Sequence, residues 1–284
     1  MKKTLLAGVA ALAALAIAAP AQAAVTLNIV ASYAKPNGAF GLAYDGTNMW
    51  YSNSAGTIYE MSTNGVDTGN SITGNYWSAL AFNSANNKLA TMQNGILKQF
   101  NRATAAGVNI STLSPTTTSI AGGYGSLIDG LDIEGGTLWW SPDVNPVFNS
   151  PLDGSGAATT FLPQGAGGYS GVEFVTVGAN TYVIVVNDAS NPRQLCIHNT
   201  NATLVGCATL ANSRYEDLGF DGRYLYAADF GGNRIDKIDL LIDGGSILVG
   251  GVPEPTTWAM MLLGFGLMGA ALRRRPKVAV RYAF

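Results

Sequence analysis

Histidine is almost missing from this chain of 284 residues, with His198 as its one example. An ordinary Ser-His-Asp arrangement would therefore depend on that residue alone, and a histidine-rich metal centre is excluded. Cysteine is nearly as scarce. Cys196 and Cys207 are the only two, which rules out a multi-disulfide scaffold and a four-cysteine zinc site. Charge is sparse at 12%, and positive charge more so: residues 24–251 hold 9 Lys or Arg against 17 Asp or Glu, a net of −8. A body with that balance and no basic cluster offers a polyanion no counterion release, so nucleic acid is not an expected partner. It suits divalent cations, calcium among them, or neutral sugars. Long apolar runs are absent from the body as well and occur only at the two ends.

At the front, Lys2 and Lys3 precede an apolar run from Leu5 to Ala19, followed by Ala21-Gln22-Ala23. A short positive segment, a run too short for a bilayer of about 30 Å and a small-x-small site describe a cleavable signal peptide over residues 1–23. Its partners would be the Sec machinery and signal peptidase, which would cut after Ala23 and leave Ala24 as the first residue. That places both cysteines in an oxidising compartment. They flank the turn-prone Asn199-Thr200-Asn201 symmetrically, so a Cys196–Cys207 disulfide across a hairpin is expected, with His198 as a bystander in the same hairpin.

What the body does contain is Gly, Asn, Ser and Thr between short aromatic and β-branched runs, an all-β composition. It also repeats. Gly41-Leu42-Ala43-Tyr44-Asp45-Gly46 and the strand after it align with Leu218-Gly219-Phe220-Asp221-Gly222 and its following strand. Each reads as strand, Asp-Gly hairpin turn, strand, with a third strand at Ile58–Met61 and at Ile235–Ile238. Weaker copies begin at Leu80, Leu131 and Val172, so the spacing stays near the roughly 40 to 50 residues of a propeller blade. One meander cannot bury its own apolar faces, whereas radial stacking buries each blade against the next. The expectation is a β-propeller over residues 24–251 with five visible blades and a sixth left open, closed by Thr26–Val30 lying beside Ser246–Val249. A β-sandwich of the same short strands is the competing architecture. The apolar-Asp-Gly-x-x-apolar-Tyr-apolar pattern resembles that of NHL-like and gluconolactonase-like propellers. The second resemblance implies a divalent cation held near the central channel, for which Asp45, Asp132, Glu173, Asp188 and Asp221 come into view. Asp45 and Asp221 are accounted for by their turns. Glu173, Glu216 and Asp217, at the start of inner strands, are the better candidate ligands. The aromatics Trp50, Tyr51, Trp77, Trp139 and Trp140 offer either sugar-stacking faces or packing between blades, and alternation along strands favours packing.

At the back, Val252-Pro253-Glu254-Pro255 leads into the uncharged run 256–272 and then Arg273-Arg274-Arg275. The run is at the short limit for a membrane-spanning helix, and the basic end, residues 273–284, sets the body outside the inner membrane. Together with Gly264-Phe265-Gly266 this segment resembles the PEP-CTERM sorting domain. The resemblance implies a Gram-negative-type bacterial protein whose Pro253, Glu254 and Pro255 are read by an exosortase, with Arg273, Arg274 and Arg275 as the membrane stop. It also implies a destination in the cell envelope or extracellular matrix, in company with exopolysaccharide. The expected function is thus an exported, non-catalytic binding or structural propeller; the alternative is a metal-dependent propeller hydrolase or lactonase, and a surface for partner proteins is a third reading.

Overall fold

The structure is a computed structural model that describes residues 23–102, 116–122, 127–143, 145–164, 167–187 and 189–247, together with Phe265. The signal segment up to Gln22, and the sorting tail apart from Phe265, lie outside the described residues.

The alternation of apolar residues on both sides of each strand has one consequence: both faces of every sheet need cover. The chain supplies it with five antiparallel sheets arranged as blades. After β1 (Val25–Ala34), blade one comprises β2 (Leu42–Tyr44), β3 (Met49–Ser52), β4 (Ile58–Met61) and β5 (Asp67–Ile72). Blade two is β6 (Leu80–Asn83), β7 (Lys88–Gln93), β8 (Ile96–Asn101) and β9 (Thr116–Ser119). Blade three is β10 (Gly130–Glu134), β11 (Thr137–Ser141), β12 (Val147–Pro151) and β13 (Thr159–Leu162). Blade four is β14 (Val172–Val177), β15 (Asn180–Asn187), β16 (Arg193–Asn199) and β17 (Leu204–Leu210). Blade five is β18 (Tyr215–Phe220), β19 (Leu225–Asp229), β20 (Arg234–Ile242) and, from the other end of the chain, β1, with the short β21 (Gly245–Ser246) added to β20.

The five repeat starts read from the sequence all fall on inner strands, at Leu42, Leu80, Leu131, Val172 and Leu218. Blades one to three gain an outer strand that the sequence did not announce, because these strands are short and polar: Thr116–Ser119 is mostly exposed. The outer strands of blades four and five are the second arm of the expected cysteine hairpin and the expected N-terminal strand. The closure differs from expectation. β1 pairs with β20, from Val25 opposite Ile242 to Ala34 opposite Arg234, while Ser246, expected beside β1, pairs with Leu241 of β20; residues 248 and 249 lie outside the described residues. The reason is length: β20 runs nine residues and presents a complete free edge, whereas β21 has two. The Asp-Gly turns also shift by one residue. Asp45 N–H donates to the Asn48 carbonyl and Asp221 N–H to that of Tyr224, so Gly46-Thr47 and Gly222-Arg223 are the central pairs and each Asp caps its turn.

The core is divided among the interfaces between blades. Trp50, Ile58 and Ile72 of blade one meet Leu80, Leu89 and Phe100 of blade two, and Ala81, Met92 and Leu97 meet Leu131, Leu138 and Trp140 of blade three. Val147 and Leu162 meet Val172, Val183 and Val185 of blade four, whose Ile184, Leu195 and Ile197 meet Leu218, Leu225 and Ile238 of blade five. The ring closes where Tyr226 and Ile235 meet Leu42, Met49 and Met61. In β3, Met49 and Tyr51 face blade five and Trp50 faces blade two, the period-two alternation of a strand buried on both sides.

Candidate functional site

The inner strands converge on the axis, and the residues just ahead of the five repeat starts are Gly41, Ala79, Gly130, Gly171 and Asp217. Four are minimal residues because the next blade is in the way: a Cβ on Gly41 would lie 2.4 Å from the Ser78 carbonyl oxygen, and one on Gly130 would lie 2.3 Å from that of Ser170. The fifth reaches the axis. Leu42 N–H donates to Asp217 Oδ2 at 2.9 Å, Leu80 N–H to the same oxygen at 3.0 Å and Leu131 N–H to Oδ1 at 3.4 Å. A fourth N–H comes from the neighbouring Leu218. One fully buried carboxylate thus ties together the inner strands of blades one, two, three and five. Burial pushes its pKa well above the usual carboxylate range, with the four backbone donors pulling in the opposite sense.

Two positions further into the channel the equivalent residues are Ala43, Ala81, Asp132, Glu173 and Gly219. Asp132 accepts the Phe174 N–H of the next blade at 2.9 Å and the Ile133 N–H at 2.7 Å. Glu173 accepts the Phe220 N–H of the next blade in turn. Burial raises the Asp132 carboxyl to about 7, against those two donors. Glu173 is driven well above the ordinary range, first by burial and then by the charges of Asp132 and Asp217. Blades three, four and five therefore bring three carboxyls towards the axis, whereas the matching positions of blades one and two are Ala43 and Ala81.

Of the residues singled out in the sequence, Glu173 and Asp217 come together here and Asp132 joins them. Glu216 does not. Strand alternation turns it to the opposite side of β18, where it pairs with Arg214 Nε at 2.9 Å. Asp45 keeps its turn role, accepting the N–H groups of Thr47 and Asn48, bonding Trp50 Nε1 at 2.8 Å and pairing with Arg102 at 2.7 Å. Asp221 does the same for Arg223, Tyr224 and the Tyr226 hydroxyl. Asp188 lies outside the described residues, as do Ala21, Pro253, Glu254, Pro255, Arg273, Arg274 and Arg275. Among the described residues, no group of three or more His, Cys, Asp or Glu has the arrangement of a metal site. Cys196 and Cys207 face each other across β16 and β17 and form the disulfide. His198, two residues on, is buried with Nδ1 unpartnered, and burial holds its pKa low, so the ring is neutral.

The aromatics divide sharply. Trp50 and Trp140 are fully buried and Tyr51 nearly so, and Trp139 packs between Phe161 and Phe174. Trp77 alone is open, at 38% exposure, on the face where the inner strands begin, beside Phe40 and Phe230.

The tail, outside this geometry, carries the deciding observation. Residues 251–275 match the PEP-CTERM protein-sorting motif. PEP-CTERM tails are membrane-anchored sorting signals processed by an exosortase, so the chain is an exported exosortase substrate with a β-propeller domain. The propeller is similar in structure to Myxococcus xanthus glutaminyl cyclase, with a TM-score of 0.53 at 16% identity over 76% of this chain and 97% of that one. It is also similar to the WD40 β-propeller domain of Doa1, with a TM-score of 0.47 at 8% identity over 75% and 97%. The first likeness bears on the fold alone. No curated protein matches the chain.

Proposed function

We propose that this PEP-CTERM protein loses its leader between Ala23 and Ala24, passes to an exosortase at Pro253-Glu254-Pro255, and acts in the envelope or matrix as a non-catalytic binding or structural propeller associated with exopolysaccharide. The observation that carries the non-catalytic reading is the use made of the channel carboxylates. Asp217 is spent on backbone N–H groups from four inner strands, and Asp132 and Glu173 each hold the next blade. Groups so engaged serve the ring. The export reading rests on the tail motif and on Lys2, Lys3 and Ala21-Gln22-Ala23.

A second reading, a metal-dependent hydrolase or lactonase, is favoured by the adjacency of Asp132 and Glu173, close enough for each charge to act on the other. Calcium titration of the secreted protein followed by thermal unfolding separates the two, because a ligand held only by the folded state raises its midpoint. The binding reading expects no shift at micromolar calcium. A rise that Glu173→Gln abolishes would replace it with the hydrolase.

A further inference from the structure

Blades two and three border an open, shallow cleft of about 430 Å³ on the face opposite Trp77. Its polar wall is built from amides. The Asn83 side chain is 4% exposed, and its Oδ1 accepts the Ala85 N–H at 3.1 Å. That backbone bond leaves Asn83 Nδ2 as the atom turned to Gln99, to whose Oε1 it donates at 3.0 Å. Asn86 Nδ2 donates to the same oxygen at 3.0 Å. Two donors on Oε1 orient the Gln99 amide, so its two Nε2 hydrogens are the ones left for a ligand. Opposite stand Pro151 and Leu152, an apolar step, and Asp153, whose carboxyl is held below its ordinary range by Ser155 and is therefore charged.

We propose that this cleft is a binding subsite for a neutral, hydroxyl-rich saccharide unit. The fixed Gln99 N–H donors match hydroxyl oxygens, and the Pro151–Leu152 step matches the C–H face of a sugar ring. Among the described residues lining the cleft, Asp153 carries the one charge. A uronate or phosphate would meet that anion with no cation to offset it, and a metal ion would find a single carboxylate. The inference rests on the exopolysaccharide association proposed above and gives it a site and a ligand class.

The test is affinity electrophoresis of the secreted protein in native gels containing dextran, galactomannan or alginate. The wild type is expected to be retarded by at least one of the two neutral polymers and less, or not at all, by alginate. Gln99→Leu keeps the volume but removes the donors, and should weaken the apparent affinity about five- to tenfold, the equivalent of one or two net hydrogen bonds. Because Gln99→Leu could disturb the fold by stranding Asn83, Asp153→Arg, at an exposed position, serves as an independent obstruction and should also abolish retardation. If neutral polymers retard the wild type and both variants equally, the association stands and the cleft is wrong. If neither neutral polymer retards the wild type, or alginate binds best, both the cleft and the neutral-glycan reading fall.

Discussion

A single carboxylate makes the point at the scale of the residue. Asp217 is the one acidic member of a ring of positions otherwise held by Gly and Ala, and its value comes from the backbone N–H groups of three other inner strands that donate to it. Asp217→Ala should strand these donors in a buried site and destabilise the fold by about 3 kcal/mol or more, whereas Asp217→Asn keeps an acceptor oxygen and should cost less. Thermal unfolding of the two variants checks the order. The channel also predicts a pH dependence. A carboxyl whose pKa is raised on folding binds protons more tightly in the native state, so the stability it contributes is full below its unfolded value near 4 and is lost as pH rises through the folded one. With Asp132 raised to about 7, the unfolding midpoint should decline from pH 4 to pH 7, and Asp132→Asn should flatten that decline. A midpoint that instead climbs over this interval would contradict the burial of the channel carboxyls.

At the scale of the element, two pieces close the structure. β16 and β17 carry the disulfide, which spans 11 residues; for so short a loop the chain-entropy model allows about 3 kcal/mol, so mild reduction should lower the unfolding midpoint without opening the ring. β1 has the larger task. It supplies the outer strand of blade five and helps to seat that blade on blade one: the Tyr33 and Tyr226 hydroxyls and Lys237 Nζ all donate to the Thr63 carbonyl, and Lys35 Nζ to that of Gly65. Just ahead of β1, at the proposed cleavage point, Ala24 N donates to Asp243 Oδ1 at 2.9 Å. Deleting residues 25–34 should expose the edge of β20 and yield aggregating protein in place of a folded monomer, as gel filtration would show. The blades themselves could be read from the sequence, because Leu42, Leu80, Leu131, Val172 and Leu218 repeat a local pattern of apolar residues and turns. The outer strands of blades one to three and the partner of β1 could not, since polar edge strands such as Thr116–Ser119 carry little period-two signal and pairing across 200 residues leaves no local trace.

At the scale of the whole molecule, the tail and the propeller are separate functions on one chain. Replacing Glu254 with Ala should leave the propeller as stable as before while the tail stays uncut, so that mass analysis finds the full C-terminus in the membrane fraction. Correct processing of Glu254→Ala would remove that residue from the recognition role. The molecule also explains why the aromatics, so prominent in the sequence, make poor guides to the proposed saccharide cleft. Closing five sheets into a ring buries Trp50 and Trp140 between blades and leaves Trp77 open, whereas the cleft between blades two and three is lined by amides that look like ordinary turn residues until the two sheets stand side by side.

The sequence by itself determined the repeat, the all-β class, the cysteine pairing and the sorting tail, because each is written in residues close together along the chain. Tertiary structure decided which carboxylates share the axis. Asp132, Glu173 and Asp217 are tens of residues apart, and neighbours in sequence part company: Glu216 and Asp217 project to opposite sides of one strand. A strand's alternation sends adjacent side chains apart, and only the closure of the ring settles what each one meets.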